Sequence, residues 1–367
     1  MSIVFLGLIV ALPSCTSTVT VRPVPTCASY AWVQRPLPAS DEPSPGTLHF
    51  LRFHGLDRVW RGRPGAALKA AEDAHETSTT ARFATVELSL IVARRLPAPR
   101  VGDRLDLHVD AAGLACAYLF DARLGGPDPG FDRNYASAVM MYADAVARVV
   151  ETLAASGAAC EAGTTIVVGG PAEPFALTIG CGDRQFDQFR TLVAVDRFAV
   201  KGLPERFMRC GLGALFAGLV GRETRRPESA FYPLKGLGAP VTALVRFAPA
   251  SPDGGGVPRR ADLVLLDPRT QETVEIGNHA VPVAADFTAS YGYLAAMGER
   301  DIRTIGSKGM FSPSSTGSFH RMILMERYDP NKTLLVLVHG LWSDPSIWLP
   351  LTDRIEGDSE LRRTYQI

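Results

Sequence analysis

The chain has 367 residues, and its 38 Lys and Arg are balanced by 38 Asp and Glu, so the formal net charge is zero. Hydrophobic residues make up 46% of it, which fits a folded protein with more than one domain, or one domain plus a large appendage. The charge balance lacks the basic footprint of a nucleic-acid binder, so no nucleic-acid partner is expected, and nothing in it points to an acidic substrate.

Ile3 to Leu12 is an apolar run too short to span a bilayer comfortably, and it suits the core of a signal peptide over residues 1–14. Leu12-Pro13-Ser14-Cys15 resembles a bacterial lipobox, which implies signal removal and lipidation of Cys15. The chain departs from that pattern in having no Lys or Arg before the apolar run and in Pro13. An ordinary secretory signal and an uncleaved anchor are the alternatives. Residues 15–46 are rich in Ser, Thr and Pro and are expected to form an extended tether that holds the folded part off the membrane.

Five cysteines follow Cys15: Cys27, Cys116, Cys160, Cys181 and Cys210. The odd number leaves at least one thiol unpaired, and spacing fixes no connectivity. No Cys-x-x-Cys pair or His/Cys cluster suggests a metal site, and no metal or organic cofactor is expected.

Residues 47–160 read as mainly helical. Ala66 to His75 is alanine-rich and predicts a short helix. Ala84 to Val92 is compatible with helix or strand. Asp132 to Ser156 is the clearest helix, because Tyr135, Ala138, Val139, Tyr142, Val146, Val149 and Leu153 recur at three- and four-residue steps. Residues 161–285 read as β-rich. Short strands are predicted from Thr165, Phe175, Leu192, Thr242 and Leu263, with another near Val274, and Ser251 to Arg260 as a loop. Gly211, Gly213 and Gly218 lack the spacing of a nucleotide-binding turn and read as turns or close-packing positions.

Asp286 to Met297 predicts a helix entered through Asp286. Phe319 to Arg327 predicts a strand, turned back by Asp329 to Lys332 into the apolar run Leu334 to Val338. That run predicts a strand buried on both faces, as in a parallel sheet. His339-Gly340 ends it, and Pro350 marks the start of a helix. His54-Gly55-Leu56 has similar residues, but Arg52 interrupts the run before it.

The strand, the His339-Gly340-Leu341 turn, Ser343, Pro345, Trp348 and the later Leu361, Arg362, Tyr365 and Gln366 together resemble bacterial lipoprotein α/β-hydrolases of the esterase/lipase type. The resemblance implies an α/β fold class, with the beginning of a hydrolase sheet in residues 286–367 preceded by a helix-plus-β-rich accessory region. It implies that the backbone N–H of Leu341 helps hold the oxyanion of a tetrahedral intermediate, with His339 and Gly340 shaping the loop. Trp342 would belong to that loop or to an acyl pocket. The substrate would be a carboxylic ester or lipid, and the location the membrane of an exported lipoprotein facing the periplasm or cell surface.

In that family the nucleophile, acid and histidine follow the oxyanion strand in this order. No Gly-x-Ser-x-Gly occurs in the sequence, and no histidine follows His339. The expectation is therefore an incomplete hydrolase domain, inactive as these 367 residues alone. The alternative is a non-catalytic envelope lipoprotein with a binding or structural role.

Overall fold

The computed structural model describes residues 20–23, 41–74, 78–97, 100–121, 132–156, 163–169, 174–180, 186–221, 227–233, 235–248, 259–296, 322–339 and 345–367. It is a mixed α/β structure. Six helices come first: α1 (Pro45–Phe53), α2 (Asp57–Gly62), α3 (Pro64–Glu72), α4 (Thr79–Arg95), α5 (Val101–Phe120) and α6 (Tyr135–Ser156). A short strand, β1 (Thr20–Pro23), precedes them.

The strands β2 (Thr165–Val168), β3 (Phe175–Ile179), β4 (Phe189–Ala194), β7 (Ala214–Val220), β8 (Leu237–Phe247) and β9 (Arg259–Leu266) form one sheet in the order β2-β3-β9-β8-β7-β4. Only the β3–β9 pair is parallel. Smaller pairings join β5 (Phe198–Lys201) to β1, β6 (Met208–Arg209) to β12 (Ala285–Asp286), and β10 (Thr273–Ile276) to β11 (His279–Pro282).

Alternation along β7 shows how the sheet is covered. Ala214 and Phe216 enter the main core with α5 and α6, whereas Leu215 and Ala217 face a second cluster containing Ala289 and Tyr293. Those two residues lie on helix α7, spanning 287–296. Successive side chains of a strand point to opposite faces, so the sheet is buried on both. The helical and β-rich stretches thus share one core.

Helix α4 lies between two apolar layers. Phe83, Val86 and Leu90 point to the main core, while Ala81, Ala84, Leu88 and Ile91 pack with α1 to α3. Two of its buried charged residues have partners. Glu87 accepts from the Ser44 backbone N–H and Oγ, both at 2.7 Å, and from the Thr47 hydroxyl. Ser44 is the N-cap of α1, so a carboxylate from one helix closes the start of another. Arg82 pairs with Asp121 at 3.4 Å.

Tyr142 of α6 repairs a gap in the sheet. Strand β7 ends its pairing with β8 at Ala214 opposite Ala243, short of Val245. The Tyr142 hydroxyl, fully buried, donates to the Val245 carbonyl at 2.8 Å and accepts from the Val245 N–H at 3.0 Å. The Gly residues of the 211–218 stretch serve close packing. A Cβ on Gly218 would stand 2.5 Å from the Phe189 ring, and one on Gly213 would strike Thr242.

Several expectations change. Within the stretch expected as an extended tether, Thr20–Pro23 is a strand paired antiparallel with Phe198–Lys201, and Ser44 and Pro45 already start α1. Met322 to Arg327 is not a strand; its backbone bonds irregularly, Leu324 N–H to the Phe231 carbonyl and Met325 N–H to the Ile367 carbonyl. The run from Leu334 is not a buried five-residue strand. Strand β13 covers only Thr333–Leu334, and Leu334, Val336 and Val338 are 40%, 56% and 77% exposed, because a single two-residue neighbour cannot cover both faces. Helix α7 packs on the six-stranded sheet and also meets the C-terminal segment, where Arg362 stacks on Phe287. Cys15, Cys27, Cys160, Cys181 and residues 251–258 lie outside the described residues; the Cys116 side chain is buried and that of Cys210 exposed.

Tyr142→Phe removes both hydrogen bonds to Val245 and leaves buried backbone groups unpaired. The expected cost is about 1–3 kcal/mol, read as a lower urea midpoint with an unchanged slope.

Candidate functional site

The C-terminal segment begins with the turn Asp329 to Lys332, closed by the Lys332 N–H to the Asp329 carbonyl at 3.2 Å. Strand β13 follows, then a 3-10 turn (Pro345–Trp348), helix α8 (Leu349–Gly357), helix α9 (Ser359–Thr364) and strand β14 (Tyr365–Gln366). Pro350 sits in the first turn of α8, where its missing N–H costs nothing. Strands β13 and β14 pair in parallel, Thr333 opposite Tyr365 and Leu334 opposite Gln366. Parallel neighbours require a crossover, and α8 with α9 supplies it.

Gln366 ties this unit together. Its side chain is 1% exposed, accepts from the Asp329 N–H at 2.9 Å and donates to the Asp329 carbonyl at 2.7 Å. One amide therefore fixes the turn before β13 from the strand beside it. Arg362 is buried with its guanidinium 4.3 Å from the centre of the Phe287 ring, a cation–π contact joining α9 to α7. Arg363 pairs with Glu272 at 2.7 Å. Gly357 meets Phe207 so closely that any Cβ there would collide with the ring.

Between α8 and the 204–207 segment lies a shallow cleft of about 260 Å³. Asp353 stands at its edge. Burial, with the neighbouring carboxylates Asp286, Glu356 and Glu205, pushes its acid up to about 7 against a hydrogen bond from Thr288. Its Oδ1 is buried without a hydrogen-bond partner, so nothing offsets the cost of burying charge there. Asp286 is also raised by burial, although Arg206 pairs with it at 2.5 Å and the Ala289 N–H donates to it at 2.8 Å as the cap of α7. Sequence reading identified the capping role of Asp286 but not Asp353. Only the fold brings Asp353 against Thr288.

His339 is exposed at the end of the extended stretch after β13. Gly340, Leu341 and Trp342, with Ser343 and Asp344, lie outside the described residues. Trp348 is half-buried, with its indole N–H buried and unpartnered. The rejected His54-Gly55 pair ends α1, with Gly55 at φ 66°. Among the described residues no cluster of three or more His, Cys, Asp or Glu could hold a metal, and no helix is long and apolar enough to cross a membrane. Comparison with family models, with curated proteins and with solved structures finds no match.

The raised acid of Asp353 sets a pH dependence. The folded state keeps a proton that the unfolded state releases near the ordinary carboxylate value of about 4. Stability from this group is therefore fully present below about pH 4 and falls as pH rises towards about 7. Hydrogen exchange at residues 349–357, corrected for intrinsic rate, should show weaker protection at pH 8 than at pH 5.5. Asp353→Asn should flatten that difference.

Proposed function

We propose that residues 322–367 open the sheet of a serine α/β-hydrolase of the esterase or lipase type, carried on an exported lipoprotein anchored through Cys15. The observation that carries this reading is the parallel pairing of β13 with β14 across α8 and α9. Open α/β sheets gather their ligands beyond the carboxyl ends of parallel strands. His339 to Trp342 follow β13 in that direction along the chain.

In this reading Leu341 offers its backbone N–H to the oxygen that becomes negative when an ester carbonyl is attacked. Gly340 gives the turn, and His339 orients the loop. Trp342 belongs to the loop or to the wall of an acyl pocket. A fixed N–H in a water-poor site stabilises the developing charge without reorganising at the moment of reaction. The attacking serine, its histidine base and the acid are supplied by strands that join the exposed apolar edge at Val336 and Val338. The bond formed is serine Oγ to acyl carbon, and the bond broken is the ester C–O, with the proton passing through the histidine to the leaving alcohol. Water then releases the acid. Carboxylic esters, lipid esters among them, fit this chemistry.

The test uses the polypeptide purified from its natural source and a short-chain p-nitrophenyl ester. Leu341→Pro deletes the proposed donor, whereas Leu341→Ala keeps it. The proline variant should lose about 10²–10³ in kcat with little change in KM, and the alanine variant should stay near wild type. Equal rates for both variants sink the oxyanion role. Absence of esterase activity from the unmodified protein turns the reading to an envelope lipoprotein that binds rather than cuts.

A further inference from the structure

Strand β1 shortens the tether. Thr20 pairs with Lys201, Val21 with Val200, Arg22 with Ala199 and Pro23 with Phe198. Its amino end therefore lies beside Lys201. Five residue steps separate Cys15 from Thr20, and a fully extended chain covers at most about 18 Å over that distance. If the tether were first held at Asp41, twenty-six steps would allow about 90 Å. One four-residue pairing thus changes a long leash into a short one.

The strand that receives β1 is firmly held. Phe198 packs with Tyr293 of α7, ring centres 5.2 Å apart, and Val200 fills the space that a side chain at Gly292 would need. Phe198 and Val195 share a buried cluster with Ala217 and Ala289. Beyond Lys201 the chain runs through exposed Gly202, Pro204 and Glu205 to the cleft beside α8. Strand β5 follows β4 directly through the 195–197 turn, and β2, at the opposite edge of the main sheet, lies five strand spacings from β4, about 24 Å.

We propose that β1 is a staple that pins the rim formed by Lys201 to Glu205 against the lipid bilayer holding Cys15, so that the protein sits on the membrane in one orientation. This inference rests on the lipoprotein part of the proposed function. The orientation brings α8, which borders the same cleft as Pro204 and Glu205, to the membrane side.

The test places the protein purified from membranes into nanodiscs whose lipids carry a photoactivatable group on the headgroup. The mass of the N-terminal peptide reports lipidation, and crosslinked peptides report proximity. The expected result is a lipidated Cys15 with crosslinks concentrated on 201–205 and sparse on 165–168. Inserting twenty Gly/Ser residues between Val19 and Thr20 keeps the staple and lengthens the leash from four to twenty-four residues. Crosslinking at 201–205 should then fall by about tenfold, as effective concentration drops with tether length. A lipidated protein whose crosslinks ignore the insertion, or fall equally on 165–168, overturns the staple and leaves the lipoprotein reading standing. An unmodified Cys15 overturns both.

Discussion

Helix α4 is buried on both sides, and the layers of the body depend on that arrangement being tolerable. A helix with apolar residues on every face normally belongs inside a larger core. Here it carries Arg82, Thr85, Glu87 and Ser89 into that core as well. Buried charge is costly unless paired, so Glu87 and Arg82 constrain their neighbours. Glu87 fixes the entry to α1 through Ser44 and Thr47, and Arg82 reaches Asp121 at the end of α5. The two apolar faces join the α1–α3 cluster to the main core through one rigid element.

The C-terminal unit uses a different economy of contacts. It has little core of its own and is held by specific polar and aromatic contacts: Gln366 on the Asp329 turn, Arg362 on Phe287, Arg363 on Glu272, and Phe207 against Gly357. Such contacts fix orientation better than they supply stability, because exposed ion pairs are weak and screened by salt. Asp353, its acid pushed up to about 7, adds a pH-sensitive member to that seam. A β-α-β unit held in register, with an apolar edge exposed at Val336 and Val338, is suited to extension by further strands.

What the sequence revealed follows physical lines. Helix α6 was legible because its buried apolar residues recur at helical spacing. The stretch from Ala84 to Val92 was ambiguous for the opposite reason: a helix buried on both sides has no periodicity to read. The short strands of the sheet were visible as short, mostly apolar runs between turn signals. The run Leu334 to Val338 misled, since apolar composition reports what a segment would bury and not what is there to cover it. Pairing of Thr20–Pro23 with Phe198–Lys201 was invisible, because nothing local specifies a partner almost 180 residues away. Gln366 was noticed as part of a resemblance, but its work on the Asp329 turn required the fold. Asp353 gave no signal, as its perturbation arises from burial and from residues distant in sequence, Asp286 and Thr288 at the start of α7 and Glu205, with Glu356 of its own helix.

The most direct measurement is fluorophosphonate labelling of the protein isolated with its native membrane, followed by mapping of the modified residue. The account predicts a single labelled serine within a Gly-x-Ser-x-Gly turn joined to this chain, since the 367 residues contain no such turn. Complete absence of labelling, or a labelled serine within residues 1–367, would contradict it.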